Sequence, residues 1–130
     1  MRAPNSPLWR LALLASVVIT AACQEEEEGT PSGAMCPEDS TLTWDSFGKD
    51  FMANYCTRCH AVAVKGSARQ GAPNDHNFES GPLVRLELDH IDKAAAAGPD
   101  AINTSMPPSA PMPTEEERRK LGEWVACGAP

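Results

Sequence analysis

Aromatic residues are scarce in this sequence. Three Trp, three Phe and one Tyr make up 5% of 130 residues. A chain of this size holds one small domain, and with so few large rings its interior would gain from a cofactor or a cross-link. Long apolar runs are also lacking. Leu11 to Ala22 is twelve residues long, short of the roughly twenty that cross a bilayer as a helix. Positive charge is thin as well. Removal of residues 1–22 takes away Arg2 and Arg10, leaving nine basic side chains against eighteen acidic ones, net −9. That balance argues against nucleic acid as a partner.

Cysteine is present and unevenly placed, at positions 23, 36, 56, 59 and 127. The run Cys56-Thr57-Arg58-Cys59-His60 has the spacing Cys-x-x-Cys-His, the attachment signature of a c-type haem. Two thiols three positions apart can each add to one vinyl group of a porphyrin. The adjacent imidazole then lies under the metal with a nitrogen free to bind iron. A Cys-x-x-Cys can also be a redox dithiol, which is expected beside a βαβ pattern, but no strand alternation surrounds this one. Half of a zinc site would want a second pair of ligands at knuckle spacing, and Cys23, Cys36 and Cys127 form no such pair.

The N-terminus reads as an export signal over residues 1–22, two arginines and then the apolar run. Thr20-Ala21-Ala22-Cys23 resembles a bacterial lipobox, with Thr20 standing where Leu, Val or Ile is usual. The same residues fit the small-x-small pattern of an ordinary secretory site, and either enzyme would cut before Cys23. Five cysteines leave an odd one in an oxidising compartment. If Cys56 and Cys59 carry haem and Cys36 pairs with Cys127, the remaining thiol is Cys23, where a lipid would be attached. The expected protein is therefore exported and anchored to a membrane through lipid on Cys23, on the periplasmic side. Residues 23–37, rich in Glu, Gly, Pro, Ser and Thr, are expected to be a flexible tether, followed by a folded domain over 38–130.

Within that domain the first helix is expected over Trp44–Tyr55, with Trp44, Gly48, Phe51 and Tyr55 on its inner face. Residues 61–77 read as loop. A second helix is expected over Val84–Ala97, begun near Pro82 and ended by Gly98-Pro99. The segment 103–113 carries Pro107, Pro108, Pro111 and Pro113 and cannot be helix or central strand. A last helix opens at Thr114 with Glu117 completing a capping box and closes near Cys127-Gly128.

From about Trp44 to Gly128 these features resemble a small monohaem cytochrome c of class I. The resemblance implies an all-α fold of three to four helices around one covalent haem c and a role in electron transfer between redox partner proteins, without substrate turnover. In that family a small residue eight positions before the first haem cysteine lets the terminal helices cross, and Gly48 stands there. The family's loop proline, whose carbonyl accepts the proximal histidine's proton, corresponds to Pro73. Its distal methionine corresponds to Met106, 46 residues past His60, with Met112 as rival ligand. An open distal site, as in a peroxidase or gas sensor, would want His76, His90 or Arg69 over the iron.

Overall fold

Thr43 begins the first helical segment. Its hydroxyl accepts from the Ser46 amide, and the Ser46 hydroxyl accepts from the Thr43 amide at 2.9 Å, so two otherwise orphaned amides are satisfied. The chain makes a π-helical turn over Trp44–Gly48 and continues as helix α1 over Lys49–Tyr55. This is a computed structural model, and it describes residues 29–130. The export signal, Cys23 and the acidic run lie outside the described residues.

Helix α4, Glu115–Ala126, crosses the first segment. Gly48 makes the crossing possible: a Cβ there would fall within the Trp124 ring. Trp124 is fully buried. It meets Phe47 edge-on at 5.8 Å between ring centroids and Trp44 at 6.3 Å. Five aromatic residues, Trp44, Phe47, Phe51, Tyr55 and Trp124, are thus gathered at one joint, where burying their rings removes apolar area from water. Tyr55 adds a polar tie, its hydroxyl donating to Glu117 Oε1 at 2.9 Å.

The middle of the chain departs from the expected single helix over Val84–Ala97. Helix α2 covers Gly81–Val84 and helix α3 covers Leu88–Ala95. Between them Leu86 and Glu87 donate to carbonyls three residues back, Leu83 and Val84, and Glu87 leaves helical geometry at φ −127°, ψ 24°. The apolar periodicity survives the break: Val84, Ile91 and Ala95 are buried and Leu88 packs beside them. Helix α3 stops at Ala95 because Ala96 turns extended. Ala97 and Ile102 then form an isolated bridge, and there is no strand among the described residues.

The tether expectation does not hold for residues 29–37. Ser32 is fully buried; its amide donates to Asp92 Oδ2 at 2.8 Å and its hydroxyl to Asp92 Oδ1. Its carbonyl accepts from Asp100, and the Thr30 carbonyl accepts from Asn103 Nδ2 at 2.8 Å. The fold therefore starts about eight residues before position 38, because Asp92 and Asn103 offer partners that composition does not reveal. Cys36 is joined to Cys127, with Cα atoms 4.7 Å apart. Gly122 lets this strap and the Ala97 turn pass close over α4: a Cβ there would meet the Ala34 Cβ at 2.9 Å.

Candidate functional site

Where α1 ends, the backbone turns twice on itself: the His60 and Cys59 amides both donate to the Cys56 carbonyl, at 3.0 and 3.1 Å. That turn sets both thiols and the imidazole on one wall of a cleft of about 510 Å³, within the size range of cofactor sites. Phe51, Met52, Ile91 and Leu121 make the apolar floor, and Met106 with Pro107 and Pro108 lines another wall. Cys56 and Cys59 are not linked to each other. Burial pushes the Cys56 thiol up to about 12, only partly opposed by the positive charges of Arg58 and Arg118. A redox dithiol needs its attacking thiol pulled down instead. Arg58, inside the motif, ties it to the proline-rich loop by donating to the Ser109 and Ala110 carbonyls.

The proximal wall is built from the 61–78 loop. His60 Nδ1 lies 3.1 Å from the His76 carbonyl. A carbonyl can only accept, so Nδ1 carries the proton and Nε2 keeps its lone pair. Burial holds the imidazole pKa below the usual histidine value despite that bond, so the ring stays neutral, the form that binds a metal. Phe78 stacks on the ring at 4.7 Å and 21°. The expectation for Pro73 is overturned, since the acceptor for His60 is the His76 carbonyl. The Pro73 carbonyl accepts from Arg69 instead.

Arg69 is buried, although an Arg in a polar loop gives no sign of it in sequence. Its guanidinium donates to the carbonyls of Ala61, Val64, Ala72, Pro73 and His76 and to Asn77 Oδ1. Apart from one short 3-10 turn at Gly66–Arg69 the loop is irregular, and this one cation supplies donors to carbonyls from several of its turns. Every donor of this side chain points into the proximal loop, so Arg69 is not placed as a distal residue over the iron. His76 and His90, the other distal candidates, face each other at 2.9 Å.

A second buried arginine holds the opposite wall. Arg118 Nη1 donates to the carbonyls of Ala95, Asn103 and Met106 at 2.9, 2.9 and 2.8 Å. The Met106 amide donates to the Ala94 carbonyl at 2.9 Å. Met106 is thus fixed at both backbone groups, while its side chain is 39% exposed and lines the cleft. Met112 is 46% exposed and does not line the cleft.

The donor set fits a covalent haem. Two free thiols three residues apart, a neutral imidazole with its outer nitrogen tied down and a thioether share one largely apolar cleft. The family model for cytochrome c matches residues 47–126, which takes in the motif, helices α1 and α4 and all the cleft-lining residues but Gly29. No curated protein and no solved structure matches the chain. With an all-α fold and a match over more than half its length, the chain belongs to the cytochrome c family, whose members hold haem c covalently and transfer electrons.

Proposed function

We propose that this cytochrome carries electrons through one haem, attached at Cys56 and Cys59, with His60 and Met106 as axial ligands and no substrate turnover. When bound, haem supplies a one-electron Fe(II)/Fe(III) couple. The observation that carries the reading is that His60 and Met106, 46 residues apart in sequence, line the same cleft. Each is held by a buried arginine that satisfies the surrounding carbonyls. His60 offers a neutral nitrogen, and its bond to the His76 carbonyl fixes the ring plane and raises ligand basicity. Met106 offers a soft sulfur, which favours the reduced metal and so a higher potential than a second imidazole would give. Phe51, Met52, Ile91 and Leu121 keep water from the buried side of the cleft.

Attachment to a membrane through lipid on Cys23 belongs to the same proposal, as does exchange with redox proteins on the periplasmic side. Its support is the use of every cysteine: Cys36 pairs with Cys127, Cys56 and Cys59 line the cleft, and Cys23 follows a signal-like run. The test is an intact mass of the mature protein together with ferric spectra before and after azide. We expect one haem mass, a diacylated N-terminus and slow, weak azide binding. Fast, tight azide binding would show an open sixth position and end the His/Met reading. A soluble, unlipidated protein starting at Cys23 would end the anchor.

A further inference from the structure

At the edge of the cleft, where His76 and His90 also line it, a cluster apart from the Cys56–His60 motif brings metal-ligand side chains together. We propose that His76, Glu87 and His90 form a binding site for a divalent transition-metal ion of the zinc class. Its ligand atoms are separate from the four groups assigned to haem, the Cys56 and Cys59 thiols, the His60 imidazole and the Met106 sulfur. The break between α2 and α3 creates it. Glu87 stands at the N-cap position of α3 and His90 lies three residues on, a Glu-x-x-His spacing that brings the two side chains together. His76 comes from the 61–78 loop.

The three ligand atoms already converge. His76 Nε2 is 2.9 Å from His90 Nδ1, His90 Nδ1 is 2.8 Å from Glu87 Oε2, and Glu87 Oε2 is 3.3 Å from His76 Nε2. With bonds of about 2.0–2.1 Å, a tetrahedral zinc ion separates neighbouring ligand atoms by about 3.3 Å. One edge has that length, and the other two need to open by about 0.4–0.5 Å, within reach of side-chain rotation at a partly exposed site. The imidazole centroids are 4.9 Å apart; the same tetrahedral geometry puts them about 5 Å apart.

A second carboxylate supports the assignment. Asp75 Oδ1 lies 3.0 Å from His76 Nδ1. The carboxylate can only accept, so the His76 proton sits on Nδ1 and the Nε2 lone pair faces the other two donors. This carboxylate–histidine pairing is the usual outer support of a zinc ligand. Two imidazoles and one carboxylate make a borderline set that suits Zn(II) over Mg(II) or Ca(II). The chain has three histidines in all. With His60 committed to iron, the remaining two are the pair that converges here.

The experiment uses the full, haem-loaded chain, stripped with chelator and titrated with Zn(II) alone by calorimetry. Haem loading is first verified by mass, so failure of the haem reading is seen separately and no free Cys56 or Cys59 competes for zinc. We expect saturable binding of one zinc per chain, weakened at least tenfold in both His90→Ala and Glu87→Gln. X-ray absorption at the zinc edge should report nitrogen and oxygen neighbours only. Glu87→Gln keeps the size and hydrogen-bonding capacity of the side chain, and unchanged far-ultraviolet circular dichroism and urea midpoints will verify that both variants fold. Absence of saturable binding, affinity unchanged in either variant, or a sulfur neighbour would overturn the site.

Discussion

Met106 has its backbone secured before its sulfur meets any partner: its amide is spent on Ala94 and its carbonyl on Arg118. Ligation by such a residue costs little further chain entropy. Met112 has neither support in the cleft nor a place in it. Met106→Ala should therefore abolish the sulfur-to-iron charge-transfer band, lower the potential and admit azide. Met112→Ala should keep the band and shift stability by under about 0.5 kcal/mol, as for an exposed side chain. Exchange of these outcomes, read by absorption and redox titration, would move the ligand to Met112. The Cys56-x-x-Cys59-His60 motif was legible in the sequence because its spacing is fixed, and the fold sets its side chains in one cleft. The residues that orient the ligands were not. Arg69, Arg118 and Phe78 act through carbonyls and a ring brought near by the fold, and a buried arginine is indistinguishable from a surface one in a sequence. Pro73 was misread for the same reason: several carbonyls of that loop lie near one another, and tertiary contacts decide which of them receives the His60 proton.

Helix boundaries were legible where side chains close them locally. Thr114 and Glu117 form the box that the sequence suggests, with the Glu117 amide donating to the Thr114 hydroxyl at 3.2 Å and the Thr114 amide to Glu117 Oε2 at 2.7 Å. The break between α2 and α3 was not legible, because Arg85–Glu87 contains no Gly or Pro and the apolar period runs through it unbroken. Tertiary partners draw its side chains outward: Arg85 donates to the Ala129 carbonyl at 3.0 Å, and Glu87 meets His76 and His90. Thr114→Ala should cost about 1 kcal/mol, measured by urea unfolding. Glu117 also makes the box sensitive to pH. The Thr114 amide, and after it the Tyr55 hydroxyl, hold its carboxyl below the usual range. Its folded pKa is thus lower than its unfolded one. The stabilisation is present above the ordinary glutamate pKa of about 4.3 and is lost as pH falls through the folded value. Glu117→Gln should be less stable than the parent near neutrality and approach it at about pH 3. Parallel acid limbs in the two proteins would show that this carboxylate contributes nothing to the pH dependence.

At the scale of the molecule the two ends of the fold are tied together. The strap from Thr30 to Cys36 runs over the end of α3 and the Ala97 turn, and its disulfide reaches the residue that closes α4. Nearby, the Trp44 amide donates to the Pro130 carbonyl, so the start of the first helical segment is also bound to the C-terminus. The cross-link closes a loop of 91 residues. In the chain-entropy account such a closure removes about 4.6 kcal/mol of unfolded-state freedom, a large share of the roughly 5–15 kcal/mol that holds a small domain together. Neither Cys36 nor Cys127 lines the cleft. The double change Cys36→Ser with Cys127→Ser should therefore leave the haem spectrum and potential unchanged while lowering the urea midpoint by the equivalent of several kcal/mol. Ser32 and Asn103 hold the strap through their own hydrogen bonds, so the folded state should keep it in place without the sulfur bridge. The whole effect then belongs to the unfolded chain. It should appear as a shift in midpoint, with little protection lost at the Ser32 amide in hydrogen exchange under native conditions. If the strap detaches in the double variant, the bridge positions native structure as well as shortening the unfolded chain, and the stability loss will exceed the loop-closure value.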